Sequence, residues 1–221
     1  MTDSVVIAVD GTAASGKGTL AKRLAQHFGF AHLDSGSLYR LVALEVIRAG
    51  GDPKNANDAV AAAGRIDPAQ AGSRDIRQAP IAEAASVVAA FPDVRAKLLA
   101  FQRAFAAKPP GGKKGAVIDG RDIGTVVCPG AQAKLFVDAR PEARAHRRWL
   151  ELSAAADEAA VLADIRTRDA RDKGRATAPL KPAPDAVLLD TTELDIDAAF
   201  AAALALVKPK VEKALKARPR G

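Results

Sequence analysis

An α/β fold, with a five-stranded parallel sheet covered by helices on both faces, is the class this sequence predicts. Three observations predict it. Short apolar runs alternate with longer helix-like stretches. Each run gives way to an aspartate: Asp10, Asp34, Asp119, Asp138 and Asp190. The first run leads straight into a glycine-rich turn of the phosphate-binding type. Strands buried on both faces read as continuous apolar stretches, and ligands of such sheets lie beyond the carboxyl ends of the strands. As alternative roles, some of these aspartates suit helix capping, Asp138 and Asp190 especially.

Val5 to Val9 is the first strand by length and β-branching. Gly11 to Lys17 then reads G-x-x-x-x-G-K, and a helix-like segment follows from Gly18 to His27. Strand, loop and helix in that order are the setting a phosphate loop needs. Gly11 and Gly16 permit backbone angles and approaches that a Cβ forbids. The segment Gly11, Thr12, Ala13, Ala14, Ser15, Gly16, Lys17, Gly18 and Thr19 therefore reads as the ATP-phosphate cradle. Its N–H groups and the helix N-terminus supply partial positive charge, and Lys17 a full one. Gly18 stands where GTPases and motor ATPases have Ser or Thr; the G-K-G-T ending resembles nucleoside monophosphate kinases instead.

The 221 residues suit one α/β core with insertions. Hydrophobic residues make up 48% but aromatics only 4%, so helices packed by Leu, Val and Ile should dominate. A net charge of +7 favours anionic partners, phosphorylated small molecules or nucleic acid. The low aromatic content disfavours base-stacking RNA platforms. Cys128 is the only cysteine, which excludes an intrachain disulfide and points to a reducing compartment. Beside Val126 and Val127 it reads as a small buried hydrophobe. No stretch approaches the ~20 apolar residues of a membrane span, and no signal-peptide pattern opens the chain. A soluble, cytoplasmic monomer is expected.

Further along, a short strand ends at Asp34 and a helix runs from Leu38 to Ile47, closed by Gly50, Gly51 and Pro53. Asp52 to Arg77 carries no clear assignment. Ile81 to Phe91 and Val94 to Phe105 read as helices, and Lys108 to Gly115 as a loop. Strands follow at Ala116–Ile118, Leu135–Val137 and Val187–Leu189. Pro141 opens a helix that continues from Glu142 to Leu152; Glu158 to Asp172 and Asp195 to Val207 complete the set. The basic tail 208–221, with two prolines, is expected to fray. None of the three histidines is assigned to catalysis.

GTAASGKGT, DSGSLYR, AASVVAAFPDVR, IDGRDIGTVV and RDARDKGRA, in that order, resemble bacterial cytidylate kinases over nearly the whole chain. The resemblance implies a single P-loop kinase domain with a monophosphate-binding insertion at about 35–110 and a helical lid at about 155–178. It implies phosphoryl transfer from ATP to CMP or dCMP, with Mg²⁺ held by Thr19 and, through water, by Asp119. Ser35 and Arg40 take the position that binds the acceptor's phosphate, and Arg121 reaches the same phosphate. Arg168 and Asp172, four apart and on one helix face, meet ribose hydroxyls; Arg175 meets the phosphates. Lys17, Arg121, Arg168 and Arg175 form the catalytic set, and Arg144 and Arg148 are further candidates for ATP phosphates. Base choice rests on Ser86, Arg95 and Asp122, which match cytosine's amino donor and ring acceptors.

Between Arg40 and Ser86 the chain is shorter than many such kinases and lacks the alternating β-branched residues of their small antiparallel sheet. A reduced insertion is expected. Two readings compete with the cytidylate one: a P-loop kinase for UMP, AMP or a metabolite hydroxyl, and a non-catalytic nucleotide sensor or RNA-binding module.

Overall fold

The structure, a computed structural model, describes residues 4–152 and 157–217. In chain order its elements are β1 (Val5–Gly11), α1 (Lys17–Phe28), β2 (Ala31–Asp34), α2 (Ser35–Arg48), α3 (Ala56–Ala63), α4 (Ala79–Val88) and α5 (Pro92–Ala107). Then come β3 (Gly115–Gly120), β4 (Ala133–Asp138), α6 (Pro141–Glu151), α7 (Glu158–Lys173), β5 (Val187–Asp190) and α8 (Ile196–Lys216). They form two compact units: one from the chain up to Leu33 and from Phe105 onward, the other from Asp34 to Ala104.

The first unit holds the sheet, in strand order β2-β3-β1-β4-β5. β1 is central and runs parallel to both β3 and β4, and β4 runs parallel to β5. Val5, Ile7 and Val9 face Leu20 and Leu24 of α1 and Ala203, Val207 and Val211 of α8 in one apolar cluster. The alternate residues Val6, Ala8, Ala116 and Ile118 are equally buried, so both faces of the central strands are out of solvent. This double burial is why these strands read as unbroken apolar runs. The register sets Asp10 beside Gly120 and Val9 beside Asp119, which brings the ends of β1 and β3 level.

The second unit is helical, with no strand among its described residues. Its core joins Leu38, Val42 and Val46 of α2 to Ala59 and Ala62 of α3, Val88 of α4, and Val94 and Leu98 of α5. The unassigned stretch contains α3, capped by Asn55, whose side chain accepts from the N–H groups of Asn57 and Asp58. Two short 3₁₀ turns follow, Pro68–Gly72 and Asp75–Arg77. Asp34 caps α2 by accepting from Ser37 N.

Two expectations need correction. Helix α8 does not stop at Val207 but passes through Pro209 to Lys216. Val211 is fully buried in the sheet cluster, with Ala214 and Leu215 packed against it. The exposed side of this last stretch is basic, so composition masked an apolar stripe one helical turn apart. Residues 218–221 lie outside the described residues. Cys128 is half-buried rather than enclosed.

Truncation after Val207 is therefore expected to destabilise the protein. Losing a fully buried valine and its partners costs several kcal/mol, about 10 °C in Tm for a chain of this size. Calorimetry of the truncated protein checks this; an unchanged Tm would show that the last turns of α8 contribute nothing.

Candidate active site

The phosphate loop is built from the end of β1. A Cβ on Gly11 would lie 2.0 Å from Val137 O of the neighbouring strand, so glycine is required there. Gly16, at φ 82°, turns the chain into α1. Ala14 is left-handed at φ 57°, which costs a non-glycine residue about 1 kcal/mol. Side chains brace this shape. Ser15 Oγ and Lys17 Nζ both donate to Thr12 O, at 3.0 and 3.2 Å. Thr12 Oγ1 donates to Asp138 Oδ1 at 2.7 Å, and Thr191 Oγ1 donates to Ser15 O at 3.1 Å. Asp138 and Asp190 are thus not helix caps: Asp138 holds the loop, and Asp190 accepts from Thr192 N and Thr192 Oγ1.

Asp119, at the end of β3, is buried, and its Oδ2 lies against Gly18, where an added Cβ would sit 3.7 Å away. That is ordinary van der Waals contact, and it sets the first turn of α1 beside this carboxylate. Oδ1 of Asp119 lies 2.8 Å from His32 Nε2. Thr19 is exposed one residue beyond Gly18. Among the described residues no three His, Cys, Asp or Glu side chains are grouped to hold a metal. Mg²⁺ needs no such cage, because it keeps most of its waters and takes one or two protein oxygens. Asp119 and Thr19 fit that modest requirement.

Asp172 gathers three arginines. Arg121 Nε donates to its Oδ2 at 2.8 Å, and Arg175 Nη2 donates to Oδ1. Arg168 lies one turn back on α7. Burial alone would push this carboxyl up; Arg121 and Arg175, with help from Arg168, outweigh it and hold the group below the usual carboxylate range. Three guanidinium groups around one carboxylate leave an excess of positive charge that suits a phosphate. In this structure Asp172 is paired with Arg121 and Arg175.

In the helical unit, Ser35 is buried at the start of α2, and Arg40 is half-buried on the same helix. Arg95 is buried on α5; its Nη1 donates to Ala89 O at 3.3 Å and its guanidinium sits 5.5 Å from the Tyr39 ring centre. Ser86 on α4 is 4% exposed, and its hydroxyl has no hydrogen-bond partner in the protein.

Sequence reasoning missed two groups. His32 contacts Asp119 only because β2 lies next to β3, which strand spacing does not reveal. Asp10 is buried, and its two oxygens accept from Ile123 N and Gly124 N, each at 2.7 Å. It thereby fixes the π-helical turn Ile123–Val127 that follows Arg121 and Asp122; Asp122 is itself buried at the turn's start. Arg144 was named, but its setting differs from the expected one. Its guanidinium is 2% exposed and donates to Ala139 O, Ala13 O and both oxygens of Asp169, which corrects the expectation that it meets ATP phosphates directly. Arg148 is paired with Glu151 at 2.8 Å. The lid range begins at residue 155, and 155–156 lie outside the described residues.

The family model described as cytidylate kinase matches residues 7–209. The cytidylate kinase of Rhodopseudomonas palustris (strain HaA2) is 55% identical over 207 residues, covering 92% of this chain and 96% of its own. That of Paramagnetospirillum magneticum is 56% identical over 210 residues, covering 94% and 99%. A solved gluconokinase from Sinorhizobium meliloti 1021 aligns with TM-score 0.50 at 13% identity, covering 97% of each chain, a likeness of fold alone.

Asp10 makes a pH prediction. Burial, chiefly, raises its pKa from 3.8 to about 6; Asp122 adds repulsion, while the N–H groups of Gly124 and Ile123 and the charge of Arg121 oppose it. A raised acid holds its proton longer when folded, so its contribution to stability is fullest below the unfolded pKa. That contribution is lost as pH rises through about 6. The span corresponds to on the order of 3 kcal/mol. Asp172, shifted the other way, acts only at lower pH. Unfolding free energies of wild type and Asp10→Asn from pH 4 to 7.5 test this. Wild type should lose that amount relative to the variant as pH rises; a flat difference contradicts the raised pKa.

Proposed function

Because the chain belongs to the cytidylate kinase family, we propose that it transfers the γ-phosphoryl group of ATP to CMP or dCMP, giving ADP and CDP or dCDP. One observation carries this reading: a braced phosphate loop with Lys17 at its mouth, in a chain 55% identical to a named cytidylate kinase over 92% of its length. Phosphoryl transfer asks for positioning and charge neutralisation more than covalent chemistry, and the acceptor phosphate is already anionic. No strong general base is required, in keeping with the absence of a histidine from the catalytic set.

Residues Gly11 to Thr19 hold the ATP phosphates through N–H groups, and Lys17 stabilises the charge on the transferred group. Mg²⁺, when bound, neutralises the β- and γ-phosphates, with Thr19 as a direct donor and Asp119 acting through water. Ser35, Arg40 and Arg121 take the acceptor's phosphate. Arg168, Asp172 and Arg175 serve ribose and phosphates as part of a lid that excludes water; the Asp172–arginine pairs open when the nucleotide arrives. Ser86, Arg95 and Asp122 read the base. The unpartnered Ser86 hydroxyl supports this, since a buried polar atom without a partner is costly unless a ligand supplies one. Tyr39 holds the Arg95 guanidinium in place. Among the described residues no helix is long and apolar enough to cross a membrane. We read the protein as a cytoplasmic monomer that acts on small nucleotides and not on nucleic acid.

A coupled assay of ADP release, with CMP, dCMP, UMP and AMP supplied singly, tests the reading. CMP and dCMP should be preferred, and Lys17→Ala should lose nearly all turnover while keeping its fold. Wild-type protein that favours UMP or AMP would overturn the cytidylate assignment.

Base choice has its own test. A carboxylate only accepts hydrogen bonds, which suits cytosine's amino group and opposes uracil's carbonyl. Asp122→Asn can present either polarity, so kcat/KM for CMP should fall and the CMP-to-UMP ratio should shrink, with little change in ATP affinity. An unchanged ratio would move Asp122 out of base recognition.

A further inference from the structure

The Arg144 guanidinium is almost wholly buried within the first unit. Four hydrogen bonds tie it to three segments: Nε to Ala139 O (2.8 Å), Nη1 to Ala13 O (3.1 Å), Nη1 to Asp169 Oδ1 (3.1 Å) and Nη2 to Asp169 Oδ2 (2.6 Å). Ala13 immediately precedes Ala14, the left-handed non-glycine residue of the phosphate loop. A loop that alternates right- and left-handed residues turns successive N–H groups to one side, where they form an anion-binding nest. Such a conformation persists only when its surroundings over-determine it. Ser15 and Lys17 brace Thr12 O from within the loop. Arg144 is the brace on Ala13, and it comes from another element.

We propose that Arg144 is a positioning residue for ATP binding. Its guanidinium holds the Ala13 carbonyl turned inward, which keeps Ala14 left-handed and the loop's N–H groups turned outward to the phosphates. Asp169 of α7 fixes the guanidinium by a two-pronged ion pair, whose fork geometry a lysine cannot reproduce. Arg144 thus acts through the loop and does not itself touch ATP. The proposal rests on the ATP-dependent kinase reading: wild-type protein that does not release ADP fails that reading, whereas the variants below test only Arg144.

The decisive protein is the double variant Arg144→Met/Asp169→Leu, because replacing a buried ion pair by apolar residues of similar size is often neutral for stability. Thermal unfolding, steady-state kinetics and calorimetric binding of ADP are measured on it, with Arg144→Lys beside it. The expected result is a Tm within a few degrees of wild type and at least a tenfold rise in KM for ATP and in Kd for ADP. KM for CMP should stay within about twofold. A merely structural role would move Tm or the active fraction and leave that split between nucleotides unmoved. Arg144→Lys should show the same ATP-selective loss, and it decides the matter if the double variant does not fold. Wild-type nucleotide binding in a folded variant, equal losses for ATP and CMP, or failure of both variants to fold would each overturn the proposal.

Discussion

The buried carboxylate of Asp10 is the constraint from which the catalytic end of the sheet follows. β1 is the central strand, and at its last residues it must both start the phosphate loop and hold the neighbouring turn. Backbone N–H groups of a tight turn cannot remain unsatisfied in the interior. Asp10 satisfies two of them, and those two N–H groups are what allow a carboxylate to stay where burial opposes it. The pairing is geometric as well as energetic. The turn it fixes begins directly after Arg121 and Asp122, so one residue sets the phosphate loop on its own strand and the Arg–Asp pair on the next.

The same logic repeats around this edge, with charges of either sign enclosed beside specific partners. Asp172 is held ionised by arginines, Arg144 by Asp169 and two carbonyls, and Asp138 accepts from Thr12 and from its own neighbour's N–H. Breaking one member of such a set strands the others in a low-dielectric interior, so these groups act together. Buried ion pairs are weak contributors to net stability, yet they define geometry well. A site that must align two phosphorylated molecules gains more from geometry than from extra stability.

The sheet and its loop were legible because they obey local rules. A β-branched run, glycines and a lysine in G-x-x-x-x-G-K leave little freedom, and Gly11 meets a neighbouring strand that only glycine accommodates as closely. The helices of the second unit were legible except α3, whose Ala-Asn-Asp composition suits a capped helix and a loop equally. The last turns of α8 were missed because lysines and Pro209 outweighed one buried position, Val211, and the partly buried Ala214 and Leu215. What sequence could not show was pairing across distance. His32 with Asp119, Asp10 with Ile123 and Gly124, and Arg144 with Ala13 all depend on which strands and helices become neighbours. An arginine on a helix reads as surface charge unless its acceptors are known, and two of those of Arg144 are backbone carbonyls, which no side-chain pattern reports.

The helical unit handles polarity differently. Its core is Ala, Leu and Val, yet it encloses the Ser86 hydroxyl with no protein partner. A small hydroxyl inside an alanine-rich helix could have been an alanine at no cost to packing, and the change would remove a desolvation penalty. Its presence fits the proposed role, in which a ligand completes the bond. The Arg95 guanidinium stands over the Tyr39 ring and donates to Ala89 O. The Ser86 hydroxyl keeps hydrogen-bonding capacity in reserve inside a packed core, as the proposed discrimination between bases of opposite polarity requires.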